Sequence, residues 1–111
     1  MTKDGLYLAH ILECIRRVEE NIAGGRDAFD ASYTLQDAVL RNLQTMCEST
    51  QRLSSAAKVK HPEVAWKEIS GFRNVLVHDY LGVDLDLVWN IMQVNMPTLK
   101  RAAESLSSEQ Q

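Results

Sequence analysis

The sequence predicts an all-α protein, an antiparallel bundle of four main helices with room for a short fifth. Three observations carry that prediction. Apolar residues recur at three- and four-residue intervals in four separate segments, no segment alternates apolar and polar residues as a half-buried strand would, and glycine, proline and capping residues fall between the segments.

Leu8, Ile11, Leu12, Ile15, Val18 and Ile22 form one stripe on a first helix from about Asp4 to Ala23, which Gly24-Gly25 ends. A polar link from Arg26 to Asp30 follows. Leu35, Val39, Leu43, Met46 and Leu53 then mark a second long helix starting near Ala31 or Ser32, and a loop from about Ala57 to Val64 turns at His61-Pro62. In the third helix Trp66, Ile69, Phe72 and Leu76 repeat at helical spacing. Val75 and Val77 make it apolar over most of its circumference, so neighbours are expected on several sides. His78 to Gly82 closes that helix, and Asp84 is placed to cap the last one. There, Leu85, Val88, Trp89, Met92, Met96 and Leu99 point inward, while Leu87, Ile91 and Val94 make a second face that asks for a second neighbour. Pro97 should kink the helix, and the polar stretch from Ser105 to Gln111 reads as a frayed tail.

With 111 residues, 45% of them hydrophobic, the chain fits a single folded domain over residues 1–111. No apolar run approaches the ~20 residues that cross a bilayer. Met1-Thr2-Lys3-Asp4 lacks a secretory pattern, so no membrane association is expected and the cytoplasm is the expected location. Cys14 and Cys47 lack neighbours at metal-ligand spacing and read as buried, reduced thiols, and no cofactor or metal is expected. The formal net charge of −3 argues against a broadly basic nucleic-acid surface, so any RNA contact must be local.

The segment richest in chemistry is Arg73-Asn74-Val75-Leu76-Val77-His78-Asp79-Tyr80. Arginine offers a permanent planar cation that fits phosphate oxygens, and histidine the side chain that titrates nearest neutral pH. On an unbroken helix residues five apart are separated by about 140°, so Arg73 and His78 do not share a face. Fraying at the helix end or a second copy of the chain would have to bring them together. Asn74 and His78, four apart, do share one, and Asn74 is a candidate to orient the imidazole. Asn42 and Glu48 lie near the apolar stripe of the second helix, where a polar group has to be paired or functional. A purely structural reading stands beside this one: Arg73 as an ion-pair residue, His78 as a residue favoured by the helix dipole, Tyr80 as a rim aromatic, Asn42 and Glu48 as a satisfied network.

The pattern Arg-x-x-x-x-His-x-Tyr, with Asn directly after the Arg, resembles the signature of the HEPN superfamily and, within it, the HepT group of small toxins. The second helix carries the similar run Ala38-Val39-Leu40-Arg41-Asn42-Leu43, and Cys47-Glu48 where relatives often have Gly-Glu. The resemblance implies a metal-independent endoribonuclease toxin from a two-gene toxin–antitoxin module, active as a homodimer. Arg73 would stabilise the scissile phosphate and His78 would act as general acid or base, with the RNA 2′-OH as nucleophile and a 2′,3′-cyclic phosphate as product. It further implies that Tyr80 is the residue to which a cognate minimal nucleotidyltransferase antitoxin attaches AMP. The other class that fits the residues is a non-catalytic helical module that binds a nucleotidyltransferase and presents a nucleotide or substrate to it.

Overall fold

Three of the long helices begin at a side chain that caps them. Thr2 Oγ1 accepts from the Gly5 amide at 2.9 Å, Ser32 Oγ from Leu35 at 3.1 Å, and the Asp84 carboxylate from Asp86 at 2.9 Å. In the computed structural model, which describes residues 2–110 apart from the side chain of Tyr80, the order is α1 (Lys3–Asn21), α2 (Arg26–Asp30), α3 (Tyr33–Arg52), α4 (Ser55–Val59), α5 (Trp66–His78), a single 3₁₀ turn (Tyr80–Gly82) and α6 (Leu85–Glu109). Among the described residues there is no strand.

Pairs of side chains fix the helix directions. Asp4 at the start of α1 accepts from the backbone and hydroxyl of Ser54 just past α3, Thr2 bonds Gln110 at the far end of α6, and Gln51 late in α3 donates to the Ser70 carbonyl early in α5. The α1–α3, α1–α6 and α3–α5 pairs are therefore all antiparallel. The predicted stripes meet between them: Leu8, Ile11, Ile15 and Val18 of α1, Val39, Leu43 and Met46 of α3, Ile69, Phe72 and Leu76 of α5, and Val88, Met92 and Leu99 of α6 are all buried. Each such side chain stabilises the fold by about 1.5–3 kcal/mol through removal of apolar area from water.

Four local readings are corrected. Arg26 to Asp30 is a helical turn, begun at Gly25, whose φ of 90° suits glycine. It exists to bury Phe29, whose ring lies 5.7 Å from that of Trp89, while the Arg26 guanidinium sits over Trp89 and pairs with Asp30 and Asp86. The loop expected from Ala57 is partly helix α4, because Ser54 caps it through the Ala57 amide and Ala57 is buried. His61, which as a residue of that loop should face solvent, is half-buried and bonded to Glu63 at 2.9 Å. The tail does not fray at Ser105: Ala102, Ala103 and Leu106 extend the buried stripe, and α6 stays helical through Pro97 to Glu109.

The surround expected for α5 and α6 is incomplete within one chain. Between them runs a groove of about 340 Å³ lined by Ile69, Phe72, Val75, Leu87 and Ile91. Leu87, which lines it, and Val94, on the same face of α6, are exposed. No helix is long and apolar enough to cross a membrane.

Candidate functional site

The site begins with the α3–α5 contact. Ile69, Phe72 and Leu76 anchor one face of α5 in the core, which holds Arg73 at the boundary between α5 and α3. Arg73 Nε lies 3.3 Å from Glu48 Oε2, and Gln44 Nε2 donates to the same oxygen at 3.4 Å. Both side chains of the ion pair are about one-third exposed, at 34% and 32%. Glu48 therefore orients a guanidinium that solvent still reaches, and the remaining nitrogens of Arg73 are available to an anion. Burial pushes the thiol of the neighbouring Cys47 up to about 12, and the Glu48 charge adds to that effect. That thiol is neutral and fully covered.

His78 is the last residue of α5 and is exposed, and the helix is continuous between it and Arg73. The angular offset anticipated from the sequence therefore persists within one chain: the two side chains leave α5 about 140° apart and about 7.5 Å along the axis. Asn74 is exposed on the same helix, and no hydrogen bond joins it to His78 among the described residues. Glu48 stands with Arg73, but Asn42 does not. Its amide donates to the Ala38 carbonyl at 2.8 Å, and it lines a separate polar groove between α1 and α3 with His10, Arg41 and Thr45. Tyr80 opens the 3₁₀ turn directly after α5, and the expectation placed on its phenol falls outside the described side chains. Among the described residues no group of three or more His, Cys, Asp or Glu side chains is arranged to hold a metal.

Sequence reasoning had singled out Glu48 as a polar group near an apolar stripe, without a partner. The helix directions supplied Arg73. Gln44 was missed, although its position four residues before Glu48 on a helix was a usable signal.

Comparison with known proteins identifies the family. The sequence pattern of the family described as Ribonuclease HepT-like matches residues 11–106. The chain is 36% identical, over 98% of its length, to a Methanocaldococcus jannaschii protein named as a gamma-glutamylcyclotransferase and candidate RNase, of which it spans about half, 50%. It is 33% identical to a Thermococcus cleftensis protein named as a candidate ribonuclease HepT, over 90% of this chain and 92% of that one. To the mRNA nuclease HepT of Shewanella oneidensis it is 25% identical, over 92% and 94% of the two chains. No solved structure matches it.

Proposed function

Because the chain belongs to the HepT-like ribonuclease family, we propose that it is a metal-independent endoribonuclease toxin whose active site forms between two copies of the chain. The observation that carries this reading is the Arg73–Glu48 pair: a solvent-reachable guanidinium held in place one helix turn and a half from an exposed imidazole. Such a pair suits phosphodiester transesterification. The RNA 2′-oxygen attacks phosphorus, the bond from phosphorus to the 5′-oxygen breaks, and a 2′,3′-cyclic phosphate and a 5′-hydroxyl result. Arg73 stabilises the charge developing on the non-bridging oxygens, and His78 takes the proton from the 2′-OH or delivers one to the leaving oxygen. Asn74, beside Arg73 and one turn before His78, serves to orient the substrate or the imidazole, and Glu48 holds Arg73 from α3.

The offset between Arg73 and His78 favours a shared site, in which the Arg73 of one chain meets the His78 of another. The uncovered apolar groove between α5 and α6, with Leu87 and Val94 exposed on that face of α6, is the surface such a homodimer would bury. Tyr80, two residues past His78, is the proposed point of control. A nucleotidyltransferase antitoxin that attaches AMP to its phenol would place a bulky anion beside the cations that bind RNA and block them by charge and occupancy.

The test is cleavage of a single-stranded RNA oligonucleotide by purified protein in the presence of a chelator. Wild type is expected to cut, and Arg73→Ala and His78→Ala to lose about 10²–10⁴-fold in rate. Full activity in His78→Ala would overturn the mechanism. Intact-mass measurement after co-expression with the antitoxin is expected to show AMP on Tyr80, and an unmodified tyrosine in a neutralised complex would remove that part of the proposal.

A further inference from the structure

The α3–α5 register carries one step further, to a residue with no place in the Arg73–His78 site. Glu48 faces Arg73 and Gln51 faces Ser70, so positions on α5 rise as those on α3 fall. Moving two turns back along α3 from Glu48 reaches Arg41. That residue lies about 20° from Glu48 around the axis and about 10.5 Å along it. By the same register Arg41 is level with the end of α5, where His78 and the 3₁₀ turn lie.

Arg41 is exposed, and its guanidinium makes no hydrogen bond or ion pair among the described residues. The other arginines differ. Arg16 and Arg17 are engaged by Glu13, Arg26 by Asp30 and Asp86, and Arg73 by Glu48, while Arg52 lies over the Tyr7 ring and Arg101 donates to the Thr98 hydroxyl. Arg41 also stands at the edge of the groove of about 400 Å³ between α1 and α3, into which His10, Asn42, Thr45 and Ser49 bring imidazole, amide and hydroxyl groups, and where the Glu13 carboxylate is paired with Arg17. An unpaired cation level with His78, on the rim of a polar groove of nucleotide size, is the arrangement that a flanking nucleotide of a single strand requires: one charge for the phosphate, and donors and acceptors for the base.

We infer that Arg41 and the α1–α3 groove form a subsite for the nucleotide next to the scissile phosphate, with Arg41 holding that nucleotide's phosphate. The inference rests on the ribonuclease reading for its substrate, and it assigns Arg41 to binding rather than to the chemical step.

The experiment measures binding of a single-stranded 2′-O-methyl RNA octamer, which cannot be cut because its nucleophile is blocked, over a range of salt concentrations. Arg41→Ala is expected to bind about tenfold more weakly, with a slope of log affinity against log salt shallower by about 0.7, the signature of one lost phosphate contact. Arg101→Ala, which removes an equal charge from α6, away from the groove, should leave both unchanged. Arg41→Ala binding with the affinity and slope of wild type, an equal loss in Arg101→Ala, or no octamer binding by wild type would each overturn the subsite. Cleavage of the unmodified octamer by wild type and His78→Ala is read separately. If the wild type fails to cut, or His78→Ala cuts equally well, the ribonuclease reading fails whatever the binding arm shows.

Discussion

Arg73 Nε and Glu48 Oε2 stand 3.3 Å apart across the α3–α5 contact, so the cation proposed to bind phosphate is held by an acid from a different helix. A pair about one-third exposed on each side contributes little to stability, because water screens it and two long side chains lose freedom in forming it. Its value lies in orientation. Glu48→Gln is therefore expected to lower the cleavage rate about tenfold while changing unfolding free energy by less than about 1 kcal/mol. A variant that cuts RNA at the wild-type rate would show that Glu48 does not position Arg73 for the reaction.

If each site draws Arg73 from one chain and His78 from the other, two inactive variants should rescue one another. Mixing Arg73→Ala with His78→Ala leaves one intact site in each mixed dimer and none in the parents, so about a quarter of wild-type activity is expected after subunit exchange. Each variant alone should stay inactive. A mixture no more active than its components would place both groups of the site on a single chain.

The uncovered α5–α6 groove leads to a separate expectation. Leu87 and Val94 are exposed at 41% and 58%, so introducing charge there costs the isolated chain little. Leu87→Glu with Val94→Glu should convert a dimer to a monomer in light scattering and abolish RNA cleavage, with the thermal midpoint of the monomer little changed. Retained dimer mass would mean that a different face mediates association.

Phe29 packs against Trp89 and is fully buried, yet it comes from a helix of five residues. Phe29→Ala should cost about 3–5 kcal/mol through lost transfer energy and the cavity left behind. Chemical denaturation reads this directly. A loss under 1 kcal/mol would show that α2 is not part of the cooperative core.

Burial, reinforced by the Glu48 charge, pushes the Cys47 thiol up to about 12. In the unfolded chain it ionises near about 8.5. Because the folded value is raised above the unfolded one, this group's contribution to stability is fully present below about pH 8.5 and is lost as pH rises toward about 12. Wild type should accordingly lose stability more steeply than Cys47→Ala across that window, measured by urea midpoints. In the native protein a thiol reagent at neutral pH should modify the half-buried Cys14 and leave Cys47 until unfolding. Parallel alkaline curves for the two proteins would remove the burial argument.

The sequence by itself determined the four long helices and the residues of their inward faces, because a 3.6-residue period sustained over several turns is a strong and purely local signal. It also determined the chemistry available near the end of α5, since Arg73, Asn74, His78 and Tyr80 lie within eight positions of one another. Elements of five residues escaped it. The turns around Phe29 and Ala57 are too short for periodicity and exist because a distant surface accepts one side chain each. The end of α6 escaped for a related reason: Ala102, Ala103 and Leu106 are buried by their neighbours, in a stretch whose composition reads as solvated. Only the tertiary structure decided that Glu48 meets Arg73, that Asn42 turns instead to the α1–α3 groove, and that one side of α5 and α6 stays uncovered. Those relations depend on how separate helices are placed against each other, which long-range packing sets and no local pattern encodes.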